Sequence, residues 1–198
     1  MSTSSDAALV VCGIAGSLRQ GSYNRALLRA AQELVPEGME IRIFDRMAEI
    51  PPFNQDVEAQ GDPEAVQALK QAIRMADALL IATPEYNHGV PGVLKNAIDW
   101  ASRPPRDSVL AGKPAAIFGA SPGITGTARA QSQLRQAFVF TNTPALTQPE
   151  ILVYRAHEKF DAQGRLTDEK TREFIGKLLR QLADWTRRLR QEPEVRSG

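Results

Sequence analysis

Cysteine is almost missing from this chain. Cys12 stands alone among 198 residues, so no internal disulfide can form. Histidine is nearly as scarce: His88 and His157 are accompanied by no cysteine or carboxylate cluster at ligand spacing, so no metal site is expected. Neither sign of charge is in excess. Lys and Arg number 24 against 23 Asp and Glu, a net charge of +1, which gives no reason to expect nucleic acid or an anionic membrane as partner. No apolar run approaches membrane-spanning length. Residues 1–6 lack a basic region followed by a signal-type apolar segment, so a cytoplasmic location is expected. Two familiar phosphate loops are absent as well. There is no G-x-x-x-x-G-K-[ST], which argues against a Walker-type NTPase, and no G-x-G-x-x-G after a strand, which removes the usual dinucleotide fingerprint.

What remains is a chain of ordinary globular composition, 42% apolar and 24% charged. Its length suits one domain over 1–198, with 1–7 and 191–198 expected to be flexible. Three continuously apolar runs, at 8–15, 78–83 and 114–120, carry the signature of parallel strands buried on both faces. The segment 40–44 alternates, as a strand near a sheet edge would. A short strand is expected around 145–152, limited by Pro149. Helical spacing appears after each strand. One helix leaves Tyr23 or Asn24 and ends at Pro36 and Gly38. Another starts at Pro63 with Asp62 as cap and buries Val66, Leu69, Ile73 and Met75 or Ala76. Further helices follow around 94–101, 128–140 and 167–189, the last with a stripe of Phe174, Leu178, Leu182, Trp185 and Leu189. Residues 45–62 read as an irregular connection. The alternation of strand and helix makes the class α/β with a parallel sheet of about five strands. Two strand orders suit such a chain, and both place a ligand beyond the carboxyl ends of the strands.

Three loops emerge at that edge: 16–24, 84–92 and 121–127. The first is Gly16-Ser17-Leu18-Arg19-Gln20-Gly21-Ser22-Tyr23-Asn24. A buried strand that stops at such a loop and then opens a helix is a phosphate cradle. The free N–H groups of a helix start point at an anion, and the helix dipole favours negative charge there. Arg19 can add a charge-assisted fork, and Ser17, Ser22 and Asn24 offer short polar side chains. Without a Walker lysine, one terminal phosphate fits better than a triphosphate. The plainer alternative is that Ser22 or Asn24 only caps the helix. The second loop sets Tyr86, Asn87 and His88 between a proline and glycines, which suits a flat heterocycle; alternatively it merely connects to the next helix. Glu85 reads as an acid that positions a helix or backbone. His88 as a catalytic base has no evident partner carboxylate. The third loop is small enough to lie beside the same ring. His157 reads as a solvated surface residue and Cys12 as a buried apolar one.

Taken together, the 16–24 loop, Pro84-Glu85-Tyr86-Asn87-His88-Gly89-Val90-Pro91-Gly92 with the run from Leu94 to Trp100, and the 121–127 loop resemble the NADPH-dependent FMN reductase family. Within that family the chain is similar to the bacterial chromate and quinone reductases. The resemblance covers about Leu9 to Glu150, and more loosely the final helix. It implies a flavodoxin-like three-layer sandwich with a five-stranded parallel sheet of order 2-1-3-4-5. It further implies non-covalent FMN, with NADPH or NADH as electron donor. Carried over by position, Ser17, Arg19, Ser22, Tyr23 and Asn24 would surround the FMN phosphate. Pro84, Glu85, Tyr86, Asn87 and His88 would line the isoalloxazine, and Ser121 with Gly123 would contact its other side. No protein residue is assigned as catalytic, because the cofactor carries the chemistry. The activity implied is a ping-pong hydride transfer to small-molecule acceptors: quinones, free flavin, azo compounds or chromate. A homodimer or homotetramer is implied too, with Asp99, Trp100, Arg129 and Glu150 as boundary candidates. An NADP 2′-phosphate would need a basic group, for which Arg103 and Arg106 are candidates. Two other classes stay open: an FMN electron carrier without NAD(P)H oxidation, and a non-redox module that senses a mononucleotide. Such carriers are typically strongly acidic, which a net charge of +1 does not match.

Overall fold

In the computed structural model, which describes residues 8–191, five parallel strands form one sheet in the order β2-β1-β3-β4-β5. They are β1 Leu9–Ala15, β2 Met39–Phe44, β3 Ala78–Ala82, β4 Ala115–Ala120 and β5 Ile151–Val153. The helices are α1 Tyr23–Glu33, α2 Gln55–Glu58, α3 Glu64–Met75, α4 Gly92–Ala101, α5 Ala128–Phe140 and α6 Glu169–Gln191. The order matches the one that the resemblance implied.

The apolar runs explain the layers. Every residue of β3 and β4 is buried, as expected for strands covered on both faces. Side chains alternate between two cores. On one face Val11, Leu80 and Phe118 pack against Leu27 and Leu28 of α1 and Leu178 and Leu182 of α6. On the other, Ile14, Leu79, Ile81 and Ile117 meet Leu69 and Ile73 of α3, Leu94 and Ile98 of α4 and Leu134 of α5. Each such side chain contributes about 1.5–3 kcal/mol by leaving water. β2 alternates buried and exposed positions at the sheet edge. Cys12 is buried, and desolvation pushes its thiol up to about 12, which leaves it protonated at neutral pH.

Several local expectations are corrected. Asp62 does not cap α3; its carboxylate pairs with the buried Lys70 at 2.6 Å, and Pro63 takes the cap position without a side-chain bond. Met75 is 62% exposed, and Ala76 takes the inner position. The 45–62 connection contains α2, capped by Asn54, whose Oδ1 accepts from the Asp56 N–H at 2.8 Å. The strand expected at 145–152 shrinks to β5. Ala145 makes only an isolated bridge to Ala115, because Pro144 and Pro149 remove N–H groups from the ladder. In α6 the start moves to Glu169, with Asp168 accepting from the Thr171 N–H. Phe174 is 37% exposed, and Ile175 and Leu179 join Leu178 and Leu182 inside. The expectations of flexibility at 1–7 and 192–198 fall outside the described residues; Gln191 ends α6.

Candidate functional site

A parallel sheet sends all its strand ends the same way, so the loops after β1, β3 and β4 share one edge. Side chains then tie the three loops to one another.

The first loop begins at Gly16, whose N–H donates to Ala82 O at 2.8 Å and whose missing side chain leaves room for Leu94 and Pro84. Ser17 is buried, and its Oγ lies 3.5 Å from the Tyr86 hydroxyl, at the outer limit of a hydrogen bond. Ser22 is the N-cap of α1, its Oγ accepting from the N–H groups of Asn24 and Arg25. The capping alternative thus holds for Ser22, yet it accounts for only part of the loop. Among the described residues, the N–H groups of Ser17, Leu18, Arg19, Gln20, Gly21 and Tyr23 meet no protein acceptor. Arg19 is exposed and paired with no carboxylate among those residues. Its guanidinium lies 5.6 Å from the centroid of the Tyr23 ring, which packs on Phe160 at 5.1 Å. A row of open N–H groups, a helix N-terminus and an unpaired arginine fit a phosphate.

Asn24 carries a structural task as well. Its Nδ2 donates to Ala120 O and its Oδ1 accepts from Ala120 N, both at 2.9 Å. The amide is a buried strut between the start of α1 and the end of β4, and it engages one of the two Nδ2 hydrogens there. Asn24→Ala leaves Ala120 without both partners and is expected to lower stability by about 2 kcal/mol, read as a drop in the urea midpoint. An unchanged midpoint would remove the strut role.

The second loop turns sharply. Tyr86 and Gly89 exchange both backbone hydrogen bonds, at 3.1 and 3.0 Å, around Asn87 and His88. These two residues have φ of 49° and 62°, so the segment is a two-residue hairpin of the I′ kind. Pro84 is buried beneath it, while Tyr86, Asn87 and His88 are exposed. The carboxylate of Glu85 turns inward to the start of α5, accepting from the N–H groups of Arg129 at 2.9 Å and Ala130 at 3.1 Å. That is the positioning role expected of it. Thr127, the N-cap residue of α5, makes no side-chain cap bond, so Glu85 supplies the cap from another loop.

The third loop is carried by Ser121, whose Oγ accepts from the Gly123 N–H at 3.2 Å. Arg155, in the left-handed region with φ 46°, donates its N–H to Gly123 O at 3.1 Å. Gly123 is exposed at the edge of the site. Nothing local in the sequence marks Arg155 for this part.

Other candidates are sorted by the fold. Arg103 and Arg106 lie past the C-terminal end of α4, away from the carboxyl edge of this chain's sheet, and Arg103 pairs with Glu58 at 3.0 Å. Trp100 is fully buried, donates to Pro51 O at 2.8 Å and meets Phe53 edge-on at 5.0 Å, so it packs within the chain and offers no boundary surface. His157 is exposed beside Glu158. No group of three metal-ligating side chains occurs among the described residues, and no helix there is long and apolar enough to cross a membrane.

The family model for NADPH-dependent FMN reductases matches residues 9–158. The chain belongs to that family. FMN is accordingly its cofactor and NAD(P)H its electron donor. An NAD(P)H-dependent FMN reductase of Pseudomonas aeruginosa is 57% identical over 180 residues, covering 91% of this chain and 96% of that protein. A quinone reductase of Pseudomonas putida is 42% identical, covering 89% and 94%. Among solved structures, the flavoenzyme NAD(P)H:(acceptor) oxidoreductase FerB of Paracoccus denitrificans superposes with a TM-score of 0.82 at 38% identity, covering 91% of this chain and 98% of that one. The residues present fit the cofactor. The open N–H row and Arg19 suit its phosphate, and the exposed hairpin and the exposed Gly123, on loops leaving the same edge of the sheet, suit a flat ring.

Proposed function

We propose that this protein is an FMN-dependent NAD(P)H oxidoreductase that passes electrons to quinones, free flavin, azo compounds or chromate by a ping-pong mechanism. The observation that carries this reading is the union of the three carboxyl-edge loops. Asn24 ties the first to the third at Ala120, and Glu85 ties the second to α5 beyond the third. FMN, when bound, supplies the redox chemistry. The chain holds and orients. Arg19 and the N–H groups of 17–21 take the phosphate. Pro84, Tyr86, Asn87 and His88 form one side of the ring slot, and Ser121 with Gly123 the other. Backbone N–H groups of the hairpin are preorganised dipoles for negative charge developing on the ring. The exposed tip leaves one open place, so donor and acceptor use it in turn. The relatives' names support quinones and free flavin as acceptors. A cytoplasmic homodimer or homotetramer completes the proposal.

Anaerobic stopped-flow absorbance on FMN-loaded protein tests it. Mixing with NADPH or NADH is expected to bleach the flavin band rapidly, and the ratio of the two rates names the donor. Adding a quinone should then restore the band at a rate independent of the donor used. A flavin that dithionite reduces but neither nicotinamide does would make the protein an electron carrier instead.

A further inference from the structure

We propose that Glu85 and Gln133 are positioning residues that clamp the Tyr86–Gly89 hairpin onto α5 and hold it ready for the flavin ring before any flavin arrives. The proposal rests on the assignment of this hairpin to the ring. Two attachments bracket the turn. Ahead of it, the Glu85 side chain, 7% exposed, accepts from the N–H groups of Arg129 and Ala130 and from Arg129 Nη1 at 3.4 Å. Behind it, Gln133 Oε1 accepts from the Val90 N–H at 2.7 Å. Gln133 stands four residues after Arg129 and three after Ala130, so both attachments are made within the first two turns of α5. The hairpin also lies close to the helix. A Cβ on Gly89 would come within 2.9 Å of Gln133 Oε1.

The turn needs such support. It carries two consecutive residues at positive φ, neither of them glycine, and only two backbone bonds close it. A short hairpin is marginal alone in water, and left-handed side-chain-bearing residues persist where their surroundings over-determine them. With the clamp in place, the cost of ordering the turn falls on folding and is absent from the binding step.

The test uses full-length Gln133→Ala, Glu85→Gln and Glu85→Ala. Hydrogen exchange is measured on flavin-free protein over 84–92, and FMN affinity by fluorescence titration. Gln133→Ala is expected to speed exchange over 84–92 and to weaken FMN by about tenfold, the size of one lost hydrogen bond. Exchange in β3 and β4 should stay unchanged. Glu85→Gln keeps one acceptor oxygen, so it should fall between the parent and Glu85→Ala in both readouts. Should Glu85→Ala fail to fold, Gln133→Ala decides. Unchanged exchange over 84–92 in Gln133→Ala overturns the clamp. So does a loosened hairpin with parent FMN affinity, because the clamp would then not serve the flavin. A parent protein that takes up no FMN overturns the flavin reading itself, while the exchange data still show whether the clamp exists.

Discussion

Gly119→Ala is expected to cost about 3 kcal/mol or more, a large share of the roughly 5–15 kcal/mol that holds a domain together. Gly119 lies in β4, near its carboxyl end. An alanine Cβ there would sit 2.1 Å from Thr83 O and 2.4 Å from Thr127 Oγ1. Neither neighbour can withdraw. Thr83 is backbone at the end of β3, held by its N–H bond to Phe118 O at 2.9 Å. Thr127 is completely buried, and its hydroxyl accepts from Gln131 Nε2 at 3.0 Å. The added methyl must therefore pry β3 from β4 where the second and third loops leave the sheet. A close-packed interior resists that. Gly123→Ala is the control: its Cβ would meet only Ser121 Oγ, at an ordinary 3.5 Å, and its stability should match the parent. Urea unfolding of both variants checks this. A Gly119→Ala protein within about 1 kcal/mol of the parent would mean that the sheet yields there.

Arg19→Ala is expected to weaken FMN binding by about 10- to 100-fold, the worth of a hydrogen bond to a charged group. Arg19 is well placed for this. It is exposed beside the start of α1, leans on the Tyr23 ring and has no carboxylate partner among the described residues. Its loss therefore breaks no internal ion pair and should leave the melting temperature of the flavin-free protein unchanged. Arg19→Lys should recover part of the affinity, since it keeps the charge and loses the fork. The parent's affinity should fall as salt rises, and that of Arg19→Ala should fall less. Fluorescence titration of FMN at two ionic strengths reads all three. Parent affinity in Arg19→Ala would show that the phosphate end lies elsewhere.

The site was legible to different depths. The cap that Ser22 makes at the start of α1 was among the local readings, because a helix start and its capping side chain are settled within a few residues. Asn24, read as a donor for the ligand, is also a strut. Its partner, Ala120, is 96 residues away, and no local pattern reports such a pairing. Gln133 went unnoticed for the same reason. It looks like any polar residue on a helix until Val90 arrives beside it. The left-handed pair at 87 and 88 was hidden too, since Asn-His before glycine does not require positive φ; the closure between Tyr86 and Gly89 imposes it.

The sequence by itself determined the class of the protein, its three internal strands and the edge at which its candidate site lies. Hydrophobic period and loop composition are local quantities, and short-range sterics and burial decide them. Its motifs together pointed to the family. Only the tertiary structure decided how the loops are joined, that Trp100 packs inward, and that Arg103 and Arg106 lie away from the carboxyl edge of their own chain. Those facts depend on groups 40 to 100 residues apart meeting in a packed interior, where a buried amide or carboxylate must find its partner or lose the energy of its hydration.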